Sequence, residues 1–169
     1  IRRQTILPTA IYVVTQGPER QNEGLKRLGV DRVITDSSTG DPSLRFALAF
    51  AAPTDFVCLL DAGVVPGRRW FEHCLVTIRD FPGILGAAGK TFVDPRLGAP
   101  RPVPRSEQVL EVDFVNRARF LRPRWLAPLF NECFGREVEA ADFTLAARAW
   151  RCLGVRCFVP AQPRDSREL

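Results

Sequence analysis

Methionine is missing altogether, histidine and tyrosine occur once each, and lysine occurs only twice in 169 residues. The lone histidine is His73, and the five cysteines (Cys58, Cys74, Cys133, Cys152, Cys157) form no CxxC pair. That scarcity excludes the close pairs of soft ligands on which a structural zinc site depends. No apolar run approaches the roughly 20 residues that span a bilayer, and Ile1-Arg2-Arg3-Gln4 lacks the charged-then-apolar build of a signal peptide. A soluble domain is therefore expected, cytoplasmic in a bacterium or lumenal if excerpted from an anchored eukaryotic enzyme. With no initiator methionine, the sequence reads as an excerpt, and membrane association is expected only through segments outside it. Cys58 sits in an apolar run and reads as a small buried hydrophobe. Cys152 and Cys157 could bridge in an oxidising compartment.

What is plentiful is arginine. The net charge of +5 comes from 24 Lys and Arg against 19 Asp and Glu, with arginines scattered from Arg2 to Arg167. A guanidinium can grip phosphate through two hydrogen bonds, so a diffuse excess suits a phosphate-bearing ligand. It equally suits ordinary solvated charge. A nucleic-acid binder gathers its basic residues into a stripe interleaved with aromatics; no nucleic-acid partner is expected, although the arginine excess keeps that reading as a third possibility. At 46% hydrophobic content the chain can bury one core but not two. Residues 1–160 are read as a single domain and 161–169 as a disordered polar tail.

Along the chain, Thr5–Thr15 reads as an opening strand interrupted at Pro8, Arg20–Leu28 as a helix stopped by Gly29, and Val30–Thr35 as a second strand. Asp36–Gly40 then forms a polar loop at a strand's carboxyl end, where α/β units place ligands. Ser43–Phe50 predicts a short helix. The continuous apolar run Asp55–Leu60 has the look of a strand buried on both faces. A helix over Arg68–Phe81, a strand over Gly83–Phe92 and a Pro-rich surface loop over Pro95–Pro104 follow. Val109–Val115 predicts a strand, Arg122–Phe130 a short helix or turn, Asp142–Leu153 a helix and Val155–Val159 the last strand. Trp70 and Trp150, at helical spacing among apolar neighbours, are expected in the core, and His73 on the surface or satisfied.

Two carboxylates stand out. Asp61 ends the apolar run and precedes small residues and a Val-Val-Pro-Gly turn, which suits a ligand site at the sheet edge or a turn-starting aspartate. Asp142 precedes an amphipathic stretch, which suits a general base or a plain helix N-cap.

Three segments read together carry a resemblance: Phe56–Phe92 with its Leu-Leu-Asp-Ala-Gly turn, Glu111–Phe130 with Val-Asp-Phe-Val and Arg-Trp-Leu, and Glu139–Pro160 with Ala-Asp opening a helix. Their order and spacing, with Glu19–Ile34 and Ser43–Ala49 upstream, resemble glycosyltransferases of family two and the exostosin-like group over nearly the whole chain. The resemblance implies a three-layer α/β sandwich of the GT-A type with a mixed, mostly parallel sheet. It implies transfer of a sugar from a nucleotide-diphosphate sugar to a glycan or other hydroxyl acceptor.

Carried over by position, the resemblance makes Asp61 the first member of an acidic triplet that holds a divalent cation, Mn²⁺ or Mg²⁺, and the sugar-nucleotide. Asp142 becomes the base that deprotonates the acceptor. Asp36 would contact the nucleoside base, Arg20 and Arg45 would offset diphosphate charge, and Asp113 and Trp125 would lie on the acceptor side. Ala62 and Gly63 stand where the family has its other two triplet acids, Ala141 where its acidic pair begins, and Asn116 where relatives often carry Gly. A domain that binds a nucleotide-sugar with reduced or lost turnover is the alternative those four positions keep open.

Overall fold

The computed structural model describes residues 1–16, 24–25, 29–36, 43–93, 99–103, 106–131 and 138–162, with backbone alone for 131 and 138–140. Most of the helix expected over Arg20–Leu28, Arg20 itself, most of the Asp36–Gly40 loop, Cys133 and most of the tail fall outside the described residues.

The opening segment extends over less than its composition suggested. Strand β1 is Tyr12–Thr15, and it pairs in parallel with β2, Arg32–Thr35, in register Tyr12 to Arg32. These two form a sheet of their own. Helix α1, Ser43–Phe50, begins just after Pro42 and buries Phe46 and Ala49, three residues apart on one face. Strand β3 is Val57–Leu60. Helix α2, Trp70–Asp80, turns Trp70, Phe71, Cys74, Thr77 and Ile78 inward, the i, i+1, i+4, i+7, i+8 spacing that lays one stripe against a sheet.

Strand β4, Gly83–Thr91, is the longest, followed by a short β5 at Arg101–Pro102. The strand expected over Val109–Val115 is instead two, β6 (Leu110–Val112) and β7 (Phe114–Leu121), divided at Asp113. A 3-10 segment, Pro123–Asn131, leads to helix α3 (Val138–Leu153) and strand β8 (Arg156–Val159). Helix α3 ends on Gly154, whose φ of 67° is easy only for glycine. Gly154 N–H donates to Trp150 C=O and Val155 N–H to Ala149 C=O, which caps carbonyls the helix leaves open.

The larger sheet runs in the order β3-β7-β4-β8-β6, with β5 against β4. Strand β7 enters between β3 and β4, antiparallel to both, whereas β4 and β8 are parallel and β6 and β8 antiparallel. Strands β3, β4 and β8 therefore share one direction, and the fold is α/β with a mixed sheet. Along β4, Gly86 to Ala88 is two steps, while their partners Arg119 and Asn116 on β7 are three apart. The extra residue makes a bulge, and Arg117 there has a φ of 67°.

Phe120 of β7 meets Phe71 of α2 at 6.5 Å between ring centroids, whereas Arg119 beside it bonds Asp142 of α3. Because neighbouring strand residues point to opposite faces, helices cover both sides of the sheet here. Phe46, Ile84, Leu85, Leu121, Leu126, Leu129 and Leu145 are fully buried, each side chain contributing about 1.5–3 kcal/mol.

Two expectations are corrected. Trp70 is buried, but Trp150 is 63% exposed, since Ala146 and Ala149 face the core on that stretch of α3 and Trp150 follows on the outer side. Cys152 is exposed and Cys157 buried, and both are free thiols. Cys58 is only partly buried, though burial still pushes its thiol up to about 12. No helix among the described residues is long and apolar enough to cross a membrane.

Candidate functional site

Asp61 follows β3 directly. Its N–H donates to Arg117 C=O at 2.8 Å, continuing the β3–β7 ladder past the bulge, and its own C=O accepts from Val64 N–H at 3.1 Å. Gly63, with a φ of 82°, lets the chain fold back within that turn. The Asp61 side chain is thus fixed at the carboxyl end of β3.

Arg119 projects from the middle of β7, opposite Leu59 of β3 and Gly86 of β4. It is 1% exposed. A guanidinium so buried needs carboxylate partners, and it has two. Its Nε and Nη2 donate to Asp142 Oδ1 and Oδ2 at 2.5 and 2.6 Å, a bidentate pair. Its Nη1 and Nη2 donate to Asp61 Oδ1 and Oδ2 at 2.9 and 3.2 Å. From α1, Arg45 Nη1 donates to Asp61 Oδ1 at 2.9 Å. Two carboxylates and two guanidiniums thereby form one electrically balanced cluster drawn from the end of β3 and from β7, α1 and α3.

The cluster is sealed at one end and open at the other. Asp142 is 6% exposed, whereas Asp61 and Arg45 are 30% and 23% exposed. Burial works to raise the Asp61 carboxyl, but Arg119 and Arg45 outweigh it and hold the group below the usual carboxylate range. At Asp142 burial prevails over the pull of Arg119, so that carboxyl lies above its ordinary value. Burial also opposes the charge on Arg119, yet its two carboxylates keep it firmly protonated. For Arg45, burial and then repulsion by Arg119 lower the value.

Asp142 is not an N-cap. Helix α3 begins at Val138, which puts Asp142 in its second turn, facing the sheet. Asp61, Arg45 and Asp142 come together. Asp36 follows β2, a strand of the two-stranded sheet rather than the six-stranded one. Asp113 Oδ2 accepts from Phe92 N–H at 2.6 Å, and its own N–H donates to Lys90 C=O at 3.1 Å. Asp113 thus ties the end of β4 to the β6–β7 turn, six residues before Arg119 and on the order of 20 Å along the strand. Trp125 is buried in the core, with no open ring face for a sugar to stack upon. Asn116 Oδ1 is buried beside the bulge without a hydrogen-bond partner among the described residues.

Arg119, the hub, was not singled out from sequence. Its signal was an arginine in the apolar run Ala118-Arg119-Phe120-Leu121, since a charge inside a buried strand demands a partner.

A divalent cation does not fit these residues. Three of about four acceptor positions on Asp61 already take N–H bonds from Arg119 and Arg45. Ala62 and Gly63 offer no side-chain oxygen, and among the described residues no three His, Cys, Asp or Glu side chains gather as ligands. A hard cation wants six or more oxygens, and here it would also face two guanidiniums.

No protein-family model matches the chain, and a search of curated proteins finds no match.

Proposed function

We propose that this is a glycosyltransferase domain that binds a nucleotide-diphosphate sugar at the Asp61–Arg45 end of the cluster and transfers the sugar to a hydroxyl acceptor. One observation carries the reading: Asp61 beyond β3 and Asp142 on α3, 81 positions apart in sequence, share the guanidinium of Arg119. Sugar transfer is displacement at the anomeric carbon. It needs positive charge at the departing diphosphate and a base within hydrogen-bond reach of the acceptor oxygen. Arg45, the more exposed of the two guanidiniums, is the cation suited to the first role. Asp142, its proton affinity raised by burial, is the carboxylate suited to the second.

A second reading has its own support. Both Asp142 oxygens are held by Arg119, and a base so engaged must let go of one N–H before it can take a proton. That favours a domain that binds the nucleotide-sugar and turns it over slowly or not at all.

A nucleotide panel separates the readings. Ligand at 100 times its dissociation constant adds about 2.7 kcal/mol of stability, or roughly 5–10 °C in melting temperature for a chain this long. Stabilisation by one nucleoside diphosphate, with donor turnover abolished in Asp142→Asn, is the result expected of the transferase. Stabilisation without turnover selects the binding domain. Turnover that survives Asp142→Asn removes the base assignment, and no stabilisation by any nucleotide removes the proposal. Steeply salt-dependent binding to nucleic acid with no nucleotide effect points instead to a basic nucleic-acid-associated domain.

A further inference from the structure

We infer that the cluster takes its diphosphate ligand without a divalent cation, Arg119 and Arg45 together balancing Asp61 and Asp142 and the unused N–H edge of Arg45 supplying the anion grip. The inference rests on the nucleotide-sugar reading above and changes what that reading needs. In a metal-dependent site, the ion's task is to neutralise the acidic side chain and hold phosphate oxygens. Here two guanidiniums do the first task, Arg119 and Arg45 together balancing Asp61 and Asp142. Arg119 spans both oxygens of Asp61 at 2.9 and 3.2 Å and is locked in place by its bidentate pair with Asp142.

The second task falls to Arg45. Among the described residues only its Nη1 is engaged, by Asp61 at 2.9 Å. Its Nε and Nη2 are buried and have no hydrogen-bond partner among the described residues. Those two nitrogens form the side fork of a guanidinium, the edge whose parallel N–H groups match two oxygens of one phosphate. A buried donor pair without an acceptor is costly, and a phosphate would fill it. Asp61 then acts as a positioning residue: its bond to Nη1 fixes the plane of Arg45 and leaves the Nε–Nη2 edge free. Arg45 and Asp61 are also the cluster's two more exposed members, and the fork, itself buried, belongs to one of them.

The test is isothermal titration of the intact chain with pyrophosphate and with ADP, CDP, GDP, UDP and dTDP, in EDTA and again in Mn²⁺. The expected result is binding in EDTA that Mn²⁺ changes less than about threefold. Arg45→Gln is expected to weaken that binding by tenfold or more. Arg45→Lys keeps the Asp61 ion pair but not the fork, so it should also lose several-fold, and it serves where Arg45→Gln does not fold. Far-UV circular dichroism verifies folding of each variant. Binding seen only with Mn²⁺ overturns this inference and leaves the nucleotide-sugar reading standing. Binding in EDTA that both folded variants retain overturns the role of Arg45. No binding in either condition overturns the inference together with the reading beneath it.

Discussion

Replacing Arg119 with Met removes the guanidinium that touches both carboxylates, and its cost can be worked from the two ends of the cluster. Asp61 is 30% exposed and keeps Arg45 at 2.9 Å, so its loss is small. Asp142 is 6% exposed, and both its oxygens lose their donors. Breaking a buried pair from one side costs about 3–5 kcal/mol. At about 2–4 °C per kcal/mol for a chain of this size, melting should fall by roughly 6–20 °C. Part of that loss is lost packing, and pH separates the electrostatic part. Burial already raises the Asp142 carboxyl against the pull of Arg119; with Arg119 gone it rises further. A raised folded value makes the stability contribution present below the unfolded value, about 4, and lost as pH climbs through the folded one. The gap between wild type and Arg119→Met, measured by urea unfolding with circular dichroism, should therefore narrow from pH 7 to pH 5. Adding Asp142→Asn should flatten that dependence. A loss below about 1 kcal/mol, or one that does not change with pH, would refute the paired arrangement.

Asp61 has the opposite sign. Its folded value is lowered from 3.8, so its contribution holds at neutral pH and disappears as pH falls below about 4; the gap between wild type and Asp61→Asn should shrink there, and a gap that widens on acidification contradicts the assignment. Gly83→Ala should cost about 1–3 kcal/mol by overpacking, because a Cβ at that position would sit 2.5 Å from the Arg156 carbonyl oxygen across the β4–β8 pair; an unchanged urea midpoint counts against that close approach. Trp150→Ser should shift stability by no more than about 0.5 kcal/mol, since the ring is 63% exposed, and a loss of 3 kcal/mol or more would mean it is packed.

Much of the local structure was legible in the residues. Helix α2 announced itself by apolar spacing from Trp70 to Ile78, and β3 and β4 by continuous runs bounded by Asp61, Gly83 and Phe92. Each depends on neighbours a few positions away, and local periodicity reports such contacts directly. The candidate carboxylates were visible for the same reason: Asp61 ends a run, and Asp142 opens one.

What the chain does with those pieces was decided by long-range pairing. Strand β7 goes between β3 and β4, which earlier lie 22 residues apart from the end of one to the start of the other, and nothing local in Phe114–Leu121 states that destination. Its insertion places Arg119 under Asp61 and against Asp142, and the bulge at Arg117 holds the Asp61 backbone. Trp125 and Trp150 have similar local surroundings, yet the first is buried and the second exposed, because burial belongs to the element packed opposite. An isolated arginine in an apolar strand signals only that some carboxylate must meet it. The tertiary structure determined that it would be two, and so turned two separate candidate acids into one electrostatic unit.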